Sequence, residues 1–311
     1  MSDSNISKTH KIRNTIFLLL TALIWGAAFV AQSVSMDYIE PMTFICLRSF
    51  IGGVFLIPVI WFLDFQKKQD RGLAAEPFFA DKWTDKKVIE GGIACGLCLF
   101  LANCFQQTGI QYTTVGKAGF ITSFYIIIVP LLGLFFKKYC GILTWISVVV
   151  ALAGLYFLCI NEALHIQKGD FMILVSAFFF AAQILVIDHY NQFVDGVKMS
   201  CIQFLTGAVL AFFAMVIFED PQWAMIVKAA VPILYTGIMS TGVGYTLQIV
   251  GQKGLNPTVA ALILSLESVF SALSGFVILH QILSARELIG CTLMFGAIIL
   301  AQLPDFRQKK Y

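Results

Sequence analysis

The chain alternates between ten long apolar runs and short polar gaps. The runs cover approximately residues 14–34, 41–63, 88–109, 114–136, 142–160, 170–188, 198–218, 229–250, 257–279 and 284–303. Each is close to the ~20 apolar residues that a helix needs to cross the hydrocarbon of a bilayer. The gaps carry Pro or charge, as at Glu40-Pro41, Lys137-Lys138, Glu219-Asp220-Pro221 and Asn256-Pro257. Membrane β-strands would instead alternate over about ten residues, and no such segment occurs. The predicted fold is all-α and integral to the membrane, with ten transmembrane helices. Composition agrees, with 59% hydrophobic and 13% charged residues, more apolar surface than a water-facing exterior can carry. The longest polar gap, roughly Asp64 to Lys87, leaves no room for a large soluble domain. The first run, from Asn14 to Ala31, is longer than a signal-peptide core and no A-x-A-like site follows it, so it is expected to be a retained helix.

Charge in the gaps sets the orientation. With the N-terminus inside, the inner segments hold sixteen Lys and Arg and the outer ones only Lys168, Lys228 and Arg286. Cytoplasmic loops carry the excess of cationic residues, so both termini are expected in the cytoplasm. The expected location is the plasma (inner) membrane, crossed many times.

The chain also repeats itself. Cys46-Leu47-Arg48 returns 155 residues later as Cys201-Ile202-Gln203. At the same offset Thr21-Ala22 aligns with Ser176-Ala177, Trp25 with Phe180 and Glu40 with Asp195. At an offset of 142, Gln106 aligns with Gln248, Gly109 with Gly251, Ser123-Phe124-Tyr125 with Ser265-Leu266-Glu267, Gly133 with Gly275 and Gly154 with Gly296. The expected units are therefore two five-helix repeats, 14–160 and 169–303. An odd number of spans per repeat gives the halves opposite topology, an architecture suited to alternating access around a midplane site.

Leu23-Ile24-Trp25-Gly26-Ala27-Ala28-Phe29, followed by Pro41 and Arg48, resembles the opening of EamA-type carriers in the drug/metabolite transporter superfamily. The stretch Gln111-Tyr112-Thr113-Thr114-Val115-Gly116-Lys117-Ala118-Gly119-Phe120 is similar to the start of that family's fourth span, and the stretch from Ala260 through Glu267 to Phe270 to its ninth. Ser268 stands where the family's usual proline follows the glutamate. The resemblance covers residues 14 to 303 and implies ten helices around a central substrate cavity. It does not fix the substrate, because the family carries many metabolites.

Charged and amide groups inside the runs are the candidates for chemistry. A cation at mid-helix costs about 2.5–3.5 kcal/mol on insertion scales, so Arg48 is expected to face a cavity or a partner rather than lipid. It either anchors a substrate carboxylate or phosphate, or ties loop carbonyls and snorkels outward. Glu267 heads a polar stripe with Ser271 and Ser274. A carboxyl group so placed can exchange a proton near neutral pH, which makes protons a candidate coupling ion; alternatively it hydrogen-bonds a neighbouring helix. Asn103, Gln106 and Gln107 share one face of the third span. Thr241, Tyr245, Gln248 and Gln252 are expected to share one face of the eighth, and Gln183 lies in the sixth. Amides in hydrocarbon need partners, so they either pair between helices or line a wet cavity, where Trp25, Tyr125 and Tyr245 would add aromatic walls. The candidate substrate-binding set is Trp25, Arg48, Asn103, Gln106, Tyr125, Gln183, Tyr245, Gln248 and Glu267.

Other features have plainer readings. Lys117 is expected to snorkel outward, with an anion-attracting gate as the alternative. Trp61, Trp83, Trp145 and Trp223 are interfacial anchors. Pro130 marks a hinge or a static bend. Gly92-x-x-x-Gly96 permits close helix packing. The eight cysteines fall mostly inside spans as small core residues, and Cys95-x-x-Cys98 lacks a second metal-binding pair. No cofactor, metal or nucleic-acid partner is expected. The four histidines lie at span ends or in gaps, which argues against an intramembrane enzyme, and no G-x-x-x-x-G-K-[ST] pattern points to ATP.

The expected function is secondary-active transport, read as export, of a small organic metabolite such as an amino acid. A proton-coupled multidrug exporter is the alternative. Small multidrug carriers of the superfamily use a glutamate in span 1, however, and span 1 here has no acid. A nucleotide-sugar exchanger would need more cavity cations, and a non-transporting membrane protein is the reading from a different class.

Overall fold

Local capping fixes several helix starts. Asp85 accepts from Lys87 N at 3.0 Å at the head of α3 (Lys86–Ile110). Asp195 accepts from Val197 N at 3.0 Å and Lys198 N at 3.4 Å before α8 (Gly196–Phe218). Asn256 accepts from Thr258 N at 2.9 Å before α12 (Pro257–Leu264), whose first residue is a proline with no amide hydrogen to satisfy. Gly254, at φ +75°, takes the left-handed conformation in the turn just before Asn256.

The computed structural model describes residues 2–70, 85–113, 115–136, 140–159, 168–279 and 285–303. The remaining helices are α1 (Ser2–Ser35), α2 (Pro41–Asp70), α4 (Val115–Thr122), α5 (Tyr125–Phe135), α6 (Ile142–Cys159), α7 (Lys168–Tyr190), α9 (Trp223–Lys228), α10 (Ala230–Leu234), α11 (Thr246–Gln252), α13 (Glu267–Leu279) and α14 (Ala285–Gln302), with a π-helical segment Tyr235–Tyr245 between α10 and α11. There is no strand among the described residues. Seven described helical stretches are long and apolar enough to cross a membrane, and Ile142–Phe157 and Leu288–Ala301 are shorter apolar helices.

Three runs differ in detail from the pattern in the sequence. The fourth breaks at Ser123-Phe124 into α4 and α5, and α5 continues through Pro130. The ninth breaks at Ser265-Leu266 into α12 and α13, the positions that align with the first break. The eighth is largely π-helical. Its i→i+5 bonding changes the angular step per residue, so the spacings of four and three from Thr241 to Tyr245 to Gln248 do not return to one face. Thr241 packs against α2 at Gly52, Tyr245 against Trp25, and Gln248 bonds Gln183.

Helices pair closely: α2 on α8, α6 on α14, α3 on α7 and α8, and α1 on α11, α13 and the π segment. Gly92 and Gly96 allow the α3–α8 approach. A Cβ on either would lie only 2.6 Å from Ile202 or 2.7 Å from Thr206, so this motif does pack helices. The main core runs through Leu18, Phe29, Ile126, Leu155, Phe204 and Leu262. The outer surface is apolar, with Phe135, Phe218 and Val231 largely exposed, as a surface facing lipid requires. Trp61 and Trp223 are exposed and Trp145 is half-buried. Trp83, Lys137-Lys138, His165, His280 and the Lys117 side chain lie outside the described residues.

Candidate substrate cavity

Arg48 sits two turns into α2 and is 2% exposed. A guanidinium has five N–H donors and no acceptor, so burying it demands several oxygens. Nη2 donates to Asn103 Oδ1 at 2.5 Å and Nη1 to Gln32 Oε1 at 3.3 Å. Nε is buried without a partner, and no carboxylate among the described residues pairs with the cation. The Phe44 ring lies 5.4 Å from the guanidinium carbon. Gln107 steadies Gln32 by donating from Nε2 to its carbonyl at 3.2 Å.

The two helix breaks build another wall. Tyr125 is the first residue of α5 and Glu267 the first of α13, and the Tyr125 hydroxyl donates to Glu267 Oε1 at 3.0 Å. Behind them Ser123 bonds Ser268 at 2.6 Å, oxygen to oxygen, and Ser268 donates to the Gly119 carbonyl at 2.9 Å. The residues that align between the halves at an offset of 142, Tyr125 and Glu267, thus meet each other.

Trp25 closes the space from α1. Its Nε1 donates to the Ser240 carbonyl at 3.3 Å in the π segment, and its ring lies 4.5 Å from that of Tyr245. Thr21 donates to the Gly244 carbonyl at 3.1 Å. A side chain at Gly244 would meet Trp25 Nε1 at 2.8 Å, so glycine is needed for this approach. The cavity is bounded by Trp25, Phe29, Gln32, Arg48, Gln106, Thr122, Tyr125, Phe180, Ser240, Tyr245 and Glu267. Its free volume of about 30 Å³ is far below the ~300–1,000 Å³ of ligand pockets, so a substrate requires the walls to part. A lone cation and an acid thus share one small aromatic chamber without forming an ion pair.

The sequence of the chain matches the EamA-like transporter family over residues 13–160 and 167–303. The chain belongs to the EamA-like transporter family. An uncharacterized transporter of Archaeoglobus fulgidus is 30% identical over 291 residues, which span 92% of this chain and 84% of the relative. The uncharacterized transporter YoaV of Bacillus subtilis is 23% identical over 300 residues, 94% of this chain and 97% of its own length. A solved crystal structure superposes with a TM-score of 0.74 over 95% of this chain and 98% of that one, at 18% identity, which shows a shared fold. This EamA-like protein is a multi-pass membrane transporter and not an enzyme.

Within the EamA-like chamber, Trp25, Arg48, Gln106, Tyr125, Tyr245 and Glu267 line the cavity. Asn103 stands behind Arg48 as its acceptor. Gln183 and Gln248 lie elsewhere, in an amide cluster with Gln203. Gln183 Nε2 donates to Gln203 Oε1 at 3.2 Å, and Gln248 Nε2 to Gln183 Oε1 at 3.2 Å. Phe29, Gln32, Thr122, Phe180 and Ser240 also line the cavity and are not in the candidate set. Phe180 carried a signal, its alignment with Trp25, and Thr122 adjoins the aligned serine of the first break. Phe29 is one of 29 phenylalanines, and nothing in its spacing distinguishes it. Gln106 donates to Thr122 Oγ1 at 3.0 Å, which orients both along the wall.

Proposed function

We propose that this transporter exports a small zwitterionic metabolite, such as an amino acid, by alternating access around the Arg48–Glu267 chamber. The observation that carries this is a buried guanidinium with one donor unused and no carboxylate partner, in the same chamber as a carboxylate held by a tyrosine. A buried cation without a counter-charge is costly. A ligand carboxylate supplies the missing acceptor, and the ligand ammonium has Glu267. In the empty carrier, a proton on Glu267 would take the ammonium's place, which would couple transport to the proton gradient.

The ten-helix architecture of two inverted repeats, 14–160 and 169–303, belongs to the same proposal. The pairing of α2 with α8 and of α6 with α14 joins equivalent helices of the two halves, as a pseudo-two-fold axis requires. Sixteen inner against three outer Lys and Arg support cytoplasmic termini in the plasma membrane.

The test is efflux of radiolabelled amino acids from proteoliposomes, with and without an imposed pH gradient, alongside thermal stabilisation of the purified protein. Stabilisation and efflux lost in Arg48→Ala support the proposal. Stabilisation by lipophilic cations alone, lost in Glu267→Gln and kept in Arg48→Ala, replaces it with multidrug export. No solute flux under any gradient rejects carriage altogether.

A further inference from the structure

Carboxylates close both ends of the α2–α8 pair in a swapped pattern. Glu219, just past α8, accepts from Met42 N at 2.6 Å, Thr43 N at 2.7 Å and Thr43 Oγ1 at 2.7 Å at the head of α2. Asp64, in the last turns of α2, lies 2.9 Å from Lys198 Nζ at the head of α8, and both side chains are largely buried. The 155-residue offset that carries Cys46-Leu47-Arg48 onto Cys201-Ile202-Gln203 also carries Thr43 onto Lys198 and Asp64 onto Glu219. Each half therefore offers a carboxylate at its helix end and a receiving group at its helix start, and the halves exchange them.

The two clasps differ for a local reason. At the head of α8, Asp195 already caps the free amides, so Asp64 meets the Lys198 side chain. At the head of α2 the equivalent residue, Glu40, is exposed, and the amides of Met42 and Thr43 are left for Glu219. Thr43 and Asp64 are 21 residues apart, about 31 Å along a helix at 1.5 Å per residue. That matches the ~30 Å hydrocarbon core, so the clasps sit at opposite faces of the bilayer. Midway between them the helices touch most closely. A Cβ on Gly53 would lie 2.8 Å from Leu205, and Cys201 Sγ is 3.5 Å from the Gly53 carbonyl. Close contact at the middle with a releasable clasp at each end makes a seesaw, in which opening one end presses the other shut.

We propose that Glu219 on Thr43 is the outer lock, and Asp64 on Lys198 the inner lock, of the transport cycle. The locks presuppose the alternating access proposed above and the orientation set by the Lys and Arg count. Both clasps are made in this structure.

Two native cysteines report on the locks. Cys104 lies 3.6 Å from the Met42 sulfur, in a groove of about 450 Å³ that Glu219 and Phe218 also line. Cys201 is fully buried one turn past Lys198. The experiment exposes right-side-out and inside-out vesicles, without substrate, to a small membrane-impermeant methanethiosulfonate, and mass spectrometry locates the modified residue. Glu219→Ala is expected to raise Cys104 modification from outside about tenfold, the factor for losing a charge-assisted bond, and to slow Cys201 modification from inside. Asp64→Ala is expected to do the reverse. The exchanged pair Asp64→Lys with Lys198→Asp should restore the wild-type Cys201 rate, and Glu90→Gln, which removes the exposed Lys86–Glu90 pair, should change neither rate.

Both cysteines speeding up together in a single-clasp variant would mean general loosening and would overturn the locks. So would unchanged rates in both variants, failure of the exchanged pair to restore the rate, or an effect of Glu90→Gln. Because no substrate is present, the two proposals fail separately. Reciprocal labelling without amino-acid flux keeps the locks and removes the substrate, while flux with non-reciprocal labelling does the opposite.

Discussion

Arg48 and Gln203 occupy equivalent places in the two halves, and their surroundings differ in charge. Gln203 accepts from Gln183, and Gln183 from Gln248, in a neutral cluster that leaves Gln203 Nε2 without a partner. Arg48 meets Gln32 and Asn103 and still has a donor unused. Amides carry both donors and acceptors, so a group of them can serve one another with no charge left over. A guanidinium has donors only, and two amide oxygens do not exhaust it. Both groups thus leave a buried N–H unpaired, but only the one around Arg48 carries a charge that an anion from outside can meet. The direction of that need, towards an anion, gives the chamber its polarity.

The largest expected effect comes from making the first half resemble the second. Arg48→Gln should weaken binding of the transported amino acid by about 2–5 kcal/mol, roughly 30-fold to several-thousand-fold. Its unfolding temperature should hold or rise, because an uncompensated buried charge is gone. Isothermal titration and thermal unfolding together check this, and unchanged affinity would make Arg48 purely structural. Next in size, Glu267→Gln keeps a partner for Tyr125 but removes the charge. Affinity for the zwitterion should fall about tenfold, while affinity for its N-acetyl derivative should stay level; competition binding with the pair of ligands measures the difference.

Gln203→Leu tests the other side of the comparison. It breaks the amide cluster and should lower stability by about 0.6–1.7 kcal/mol, read from thermal unfolding, while affinity stays within about twofold on the same scale. A large affinity loss would mean that the cluster belongs to the binding site after all. The smallest effect is expected from Trp25→Phe, which keeps an aromatic ring against Tyr245 and removes only the bond to the Ser240 carbonyl. One such bond is worth on the order of 0.6 kcal/mol in a membrane, so a two- to threefold rise in the half-saturating substrate concentration for efflux is the expected result.

Much of the chamber was legible in the sequence because charge inside an apolar run is conspicuous. Arg48 and Glu267 stand out on that ground, and the aligned triplets Ser123-Phe124-Tyr125 and Ser265-Leu266-Glu267 mark both helix breaks. Periodicity says which residues share a helix face, but not whether the face meets a cavity or another helix. Gln106 and Gln248 are equivalent by alignment, yet Gln106 lines the chamber and Gln248 is buried among amides. The π segment was illegible for a related reason. Its three glycines, Gly237, Gly242 and Gly244, weaken an ordinary helix, but they do not specify a wider turn, and the segment packs Gly244 under Trp25 and Thr241 against Gly52, contacts between segments more than 180 residues apart. Pro130 drew attention as a breaker, but the break came at Ser123-Phe124, where serine hydroxyls bind across to the other broken helix.

The order in which these partners leave the ribosome matters for how the protein is made. Chains emerge from the N-terminus onwards, and a charge entering lipid alone is costly. Gln32 precedes Arg48 by 16 residues and Asn103 follows it by 55, so both amide acceptors of the cation are in place once α3 is inserted, before the second half exists. Glu267 appears 142 residues after Tyr125, when its partner is already in place. Each charge of the chamber thus meets its hydrogen-bond partners during synthesis, and neither waits for the finished fold before it is sheltered.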